Sequence, residues 1–137
     1  MGKQASFKVT ATRAEIAAFS DTFEHFCTEN GIAQPVLRAF QIAFDEVLTN
    51  VADYAYGGAG GEIDVRVALD ANVLAAEVID SGPEFDPLQS APPPDLDSDI
   101  EDRAIGGLGL HLVTAMMDEV SYRRSTQHNH LRLKKFL

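Results

Sequence analysis

The 137-residue chain has one cysteine, Cys27. It cannot close an internal disulfide, and cysteine usage leaves its redox compartment unmarked. Cys27 stands near Phe23 and Phe26 and reads as a small buried hydrophobe. Positive charge is also scarce: 11 Lys and Arg face 21 Asp and Glu, for a net charge of −10. That balance argues against a nucleic-acid partner, because phosphate backbones are bound by clustered cations. No apolar run approaches the ~18 residues of a membrane span. No leader pattern is visible either, so a cytoplasmic protein with no membrane partner is expected. The chain carries neither a Gly-x-Ser-x-Gly elbow nor a glycine loop ending in Lys, which removes the common esterase and P-loop readings.

What is present is ordinary for a globular protein: 45% apolar and 23% charged residues. The length fits a single domain over 1–137 with a real core. Phe7–Val9 alternates as a short strand. Ile16, Phe19, Phe23 and Phe26 recur at helical spacing from Arg13 to Glu29, with Thr12 and Glu15 forming a capping box and Asn30-Gly31 a stop. A second helix is expected from Pro35 to Ala55, ended by the glycine run Gly57–Gly61. Ile63, Val65, Val67 and Leu69 alternate as a half-buried strand. A turn at Asp70–Asn72 joins it to a central strand over Val73–Ile79. Residues 83–105 are rich in proline and aspartate and read as a lid without regular structure. Gly106-Gly107-Leu108-Gly109 then opens a third helix over Leu110–Met117. Val120–Arg124 and Leu131–Phe136 read as a closing strand pair. Helices and strands come in blocks, so the expected class is α+β, a two-layer sandwich with helices covering one face of a mixed sheet.

Three segments carry chemistry. On the second helix, Glu46, Asn50 and Asp53 fall within about 60° of one another, opposite the apolar stripe of Leu37, Phe40, Phe44 and Leu48. Ala39 and Ile42 share the polar side, so something is expected to cover it. An amide oxygen at Asn50 suits Mg²⁺, and Glu46, one turn away, suits the removal of a proton from a hydroxyl or water. A solvated helix face fits the same stripe. Asp80-Ser81-Gly82 follows an apolar strand, and a carboxylate there needs a donor. An exocyclic amine on a purine would serve, and so would the backbone of Asp80's own turn. Gly106, Gly107 and Gly109, with Leu108 between the last two, stand at a helix start, where free N–H groups favour an anion.

In this order, Glu46-x-x-x-Asn50, Asp80-x-Gly82 and Gly107-x-Gly109 resemble the ATP-binding motifs of the GHKL (Bergerat-fold) superfamily. The stretches Asp80–Pro87, Ile105–Val113 and Met117–Tyr122 resemble most closely its bacterial anti-sigma-factor serine/threonine kinases. The resemblance runs from about Ala5 to Lys135. It implies a Bergerat-type sandwich that binds ATP and Mg²⁺ under the lid. Glu46 is then the catalytic base, Asn50 the Mg²⁺ ligand and Asp80 the partner of the adenine amino group. Gly82, Gly107 and Gly109 then shape the adenine and phosphate loops. It implies a STAS-domain antagonist as phosphate acceptor, a sigma factor as second partner and a homodimer. The chain departs from the pattern at Leu108, where many relatives have Arg, at Glu84, and at Gln127–His130, where a Gly-Thr pair is usual. These departures favour, as the alternative, a non-catalytic module whose partner affinity is set by nucleotide.

Overall fold

The computed structural model describes residues 2–56, 61–90 and 107–137. Strand β1 (Lys3–Thr10) leads into α1 (Arg13–Glu29) and α2 (Gln34–Asn50), and a π-helical turn over Val51–Ala55 extends α2. Strands β2 (Glu62–Asp70) and β3 (Val73–Asp80) follow, then α3 (Pro87–Ser90), α4 (Gly107–Met116) and the hairpin β4 (Glu119–Ser125) and β5 (His128–Phe136).

Local chemistry sets most of these limits. Thr12 Oγ1 accepts the Glu15 N–H at 3.3 Å and caps α1. Asn30 and Gly31 end it, with Gly31 at φ 70°, where a glycine pays no side-chain penalty. The Tyr56 N–H reaches back five residues to the Val51 carbonyl at 3.2 Å, so the last turn widens instead of continuing the α-helix expected to Ala55. The expected glycine stop at 57–60 lies outside the described residues. Gly61 is needed where it stands: a Cβ there would lie 2.6 Å from the Tyr56 ring.

The two-layer α+β class holds, with one correction to the sheet. It was expected to be mixed, yet among the described residues every pairing is antiparallel, in the order β1-β2-β3-β5-β4. Hairpin turns join β2 to β3 and β4 to β5, which enforces antiparallel pairing. The crossover through α3 and α4, followed by the β4 hairpin, brings β5 back beside β3 and antiparallel to it. β1 is also longer than the three residues expected, because it pairs with β2 from Glu62 to Leu69.

One sheet face is apolar. Ile63, Val65, Val67, Leu74, Ala76, Val78, Leu131 and Leu133 point into the core, while Arg66, Glu77 and Arg132 stand on the other face. The helices supply the second layer, and α2 packs against both α1 and α4. Ala39, on the polar side of α2, is buried accordingly, whereas Ile42 stays exposed. Phenylalanines cement α1 to α2 and β1. Phe23 lies 5.0 Å from Phe44 and 5.8 Å from Phe40, and Phe19 lies 5.2 Å from Phe44 and 5.4 Å from Phe7, ring centre to ring centre. Cys27 is fully buried here, and burial, helped by the Glu24 carboxylate, pushes its thiol up to about 11.

Residues 83–105 were expected to lack regular structure. Pro87–Ser90 instead forms the short helix α3, started by Asp86 Oδ1, which accepts the Leu88 N–H at 2.9 Å. The rest of that lid, 91–105, lies outside the described residues.

Candidate functional site

A cavity of about 230 Å³ opens between the end of α2 and the inner face of β3, β5 and β4. Its walls include Val47, Asn50, Tyr54, Asp80, Phe85 and Asn129. The volume is below the ~300 Å³ at which whole-ligand pockets begin. It therefore suits one flat heterocycle, with anything attached to it lying outside.

Asp80 ends β3 on the buried side, with 7% of its surface exposed. A carboxylate there must be hydrogen-bonded to be tolerated. Two donors meet it, the Gly82 N–H at 2.9 Å and the Asn129 amide at 3.0 Å, and both fall on Oδ1. Oδ2 accepts no hydrogen bond among the described residues and remains an acceptor beside the cavity. Of the two partners considered from sequence, the backbone of the turn is the one bonded, through Oδ1.

Asn129 is the residue that sequence reasoning missed. It pairs with Asp80 across β3 and β5 and is 5% exposed. Its amide nitrogen also donates to the Pro83 carbonyl at 2.8 Å. Its oxygen accepts the Tyr122 hydroxyl at 2.5 Å, Arg124 at 3.2 Å and the Phe85 N–H at 3.3 Å. Three donors on one atom and acceptors around the other fix which way the amide faces. Arg124 also donates to the Gly82 carbonyl at 2.9 Å. Burial, opposed by the Phe85 backbone and reinforced by Glu84, raises the Tyr122 hydroxyl, which therefore stays protonated and can donate. One side chain thus ties the 80–85 loop to the sheet. The available signal was alternation: Asn129 shares the inward phase of Leu131 and Leu133, so it had to be buried, and a buried amide needs partners.

Asn50 and Asp80, 30 residues apart in sequence, line this one cavity. Glu46 is half-buried one turn before Asn50, off the cavity, and pairs with no cation among the described residues. Asp53 is exposed and lies off it too. Gly82 is buried behind the loop. Gly107, Leu108 and Gly109 form the first turn of α4 itself, where the expectation had them preceding the helix. Their N–H groups are then those that a helix leaves without internal partners. Gly106 lies outside the described residues. At the cavity mouth Tyr54 and Phe85, each nearly half exposed, face one another at 6.2 Å with planes 16° apart. The Tyr56 hydroxyl donates to the Glu62 carbonyl at 2.8 Å and accepts the Ser81 N–H at 3.0 Å, joining the end of α2 to the Asp80 loop.

One helical layer, one antiparallel sheet and a base-sized cavity between them, floored by a carboxylate, define a two-layer ATPase-like domain. The family model for the histidine kinase-like ATPase domain matches residues 9–135. The serine/threonine-protein kinase BtrW of Bordetella bronchiseptica is 29% identical over 126 residues, 91% of this chain and 87% of its own. The serine-protein kinase RsbW of Listeria monocytogenes serovar 1/2a is 35% identical over 94 residues, 66% of this chain and 60% of its own. A crystal structure of the RsbU and RsbW domains of a Mycobacterium tuberculosis protein superposes over 98% of this chain with a TM-score of 0.68 at 17% identity. The chain spans 32% of that longer one. The chain belongs to the histidine kinase-like ATPase family, and these two relatives are serine- or serine/threonine-protein kinases.

Proposed function

We propose that the chain is an ATP-dependent serine/threonine kinase of the anti-sigma type, transferring the γ-phosphoryl group to a hydroxyl on a small STAS-domain antagonist. One observation supports this reading above the others. Asp80 keeps a carboxylate oxygen free beside a base-sized cavity that Asn50 also lines. An ionised carboxylate only accepts, so it selects a ring with an exocyclic amine, as adenine has, over one with a carbonyl there.

The residues fit the groups this chemistry needs. Asn50 would hold Mg²⁺ through its side-chain oxygen, and the ion, when bound, neutralises phosphate charge. Glu46 takes the proton of the attacking hydroxyl. The first turn of α4, with Gly107, Leu108 and Gly109, offers backbone donors to phosphate oxygens. Within this reading the chain acts as one cytoplasmic domain. It pairs with a second copy of itself and holds a sigma factor when the antagonist is absent. No helix among the described residues is long and apolar enough to cross a membrane.

The test is calorimetry of ATP with and without Mg²⁺, followed by phosphate transfer to a STAS-domain substrate. Asn50→Ala should abolish the Mg²⁺-dependent part of binding, and Asp80→Asn should weaken ATP about tenfold or more, a loss of ~1.4 kcal/mol. Glu46→Gln should bind ATP normally and transfer no phosphate. Full transfer by Glu46→Gln would remove Glu46 as the base. The altered segment Gln127–His130 favours a second reading, a nucleotide-gated binding module. Tight ATP binding with no transfer by the wild-type chain would select it.

A further inference from the structure

The sheet face away from the helices carries a second cluster that the nucleotide site does not use. His130 on β5 has three partners: its Nε2 is 2.6 Å from the Ser125 hydroxyl at the end of β4, and its Nδ1 is 2.7 Å from Glu77 on β3 and 3.4 Å from Arg123 Nη2. An ionised Glu77 carboxylate only accepts, so the Nδ1 facing it carries a proton, and in the ring without a second proton Nε2 accepts from the Ser125 O–H. This is the order of groups that activates a serine: nucleophile, base, and a carboxylate that orients the base. The base and carboxylate are sheltered, with 13% and 20% of their side chains exposed, and three adjacent strands hold the set in place. Among the described residues no group of three or more His, Cys, Asp or Glu side chains is placed to hold a metal ion.

Two features lie beside this cluster. A groove of about 470 Å³ runs beside His130, lined by Glu77, Ser121, Tyr122, Arg123, His130 and Arg132. Arg123 leans on Glu77 at 3.5 Å, while Arg132 is exposed and makes no ion pair among the described residues. The turn after Ser125 holds Gln127 at φ 61°, and the N–H groups of Thr126 and Gln127 make no backbone hydrogen bond among the described residues.

We propose that Ser125 is a nucleophile, activated by His130 and Glu77, that takes the acyl group of small activated esters bearing a negative charge. The Ser125 oxygen bonds to the ester carbonyl carbon and its proton passes to Nε2 of His130. The ester C–O bond breaks, and that proton leaves with the departing alcohol. Water then attacks the acyl-serine, giving its proton to Nε2, and the acid is released as Ser125 takes the proton back. Thr126 and Gln127 N–H groups supply donors for the developing oxyanion, and Arg132 draws the anionic tail into the groove. The activity lies on the opposite sheet face from the nucleotide cavity and is independent of ATP.

The test uses the full chain and an alkyl fluorophosphonate, which loses fluoride on reaction with an activated serine, with the adduct mapped by peptide mass spectrometry. One adduct on Ser125 is expected, absent in Ser125→Ala. Its rate should fall at least about tenfold in both His130→Gln and Glu77→Gln, with melting temperature and ATP binding kept. Hydrolysis of a 4-nitrophenyl hemisuccinate should exceed that of the acetate, and Arg132→Gln should remove the preference. No adduct on the folded wild type, an adduct elsewhere, or a Ser125 adduct formed equally fast in a folded Glu77→Gln would overturn the proposal and leave the cluster a structural hydrogen-bond ladder.

Discussion

The two ends of the helical layer are built on opposite principles. Between α1, α2 and β1 the interior is a stack of phenylalanines that touch many neighbours, and no single contact matters greatly. Beside the cavity, order rests on a few hydrogen bonds that converge on Asn129 and Asp80. Apolar packing is non-directional and forgiving of shape. A buried polar network is worth most when every member is satisfied, and one missing partner leaves others stranded. The first region therefore supplies stability, and the second fixes a carboxylate oxygen toward a ligand.

Substitutions that separate stability from binding sharpen this contrast. The largest effect belongs to Phe23→Ala, in a fully buried side chain whose ring neighbours four others. It should cost about 3–5 kcal/mol in urea unfolding, with ATP affinity unchanged wherever the variant is folded. Asn129→Ala should cost less, about 1–3 kcal/mol, yet weaken ATP more than tenfold, because Asp80 loses a fixed donor. If Asn129→Ala bound ATP like the wild type, the contrast between the two regions would fail. Tyr122→Phe removes one donor from a hub of several and should cost about 0.5–1.5 kcal/mol, with a smaller loss of affinity.

The smallest effect is a pH dependence. The Cys27 thiol ordinarily titrates near 9.0 and is raised to about 11 when folded. The unfolded chain therefore loses that proton first, and stability falls as pH rises from about 9 toward 11. Below that window the contribution is fully present. Cys27→Ala should flatten this part of the stability profile, measured by thermal melting across the same pH range.

The sequence was legible where its signals were periodic. Ile16, Phe19 and Phe23 placed α1, Leu37, Phe40, Phe44 and Leu48 placed α2, and alternation from Ile63 and from Val73 placed the central hairpin. Strand order was not legible, because pairing β5 with β3 depends on a crossover of nearly fifty residues, and no local pattern encodes that. The same split runs through the site. Asn50 and Asp80 stood out by their motif spacing and line the same cavity. Asn129 did not stand out, because an asparagine two residues after a tight turn looks like turn chemistry. Its importance arises from partners 44 to 49 residues away. The widened turn at Val51–Ala55 was hidden for a related reason: a single i to i+5 bond leaves no mark on hydrophobic periodicity.

Strand β5 places Asn129 and His130 side by side in sequence and back to back in space, one facing the cavity and the other the open sheet face. Side chains alternate with a period of two, so deleting one residue from the Thr126–Gln127 turn would exchange their faces. An imidazole would then sit under the nucleotide loop, with an amide left in the solvent. A single-residue change keeps the two chemistries on their own sides only where the turn itself absorbs it, as a three-residue loop closed by a bulge does.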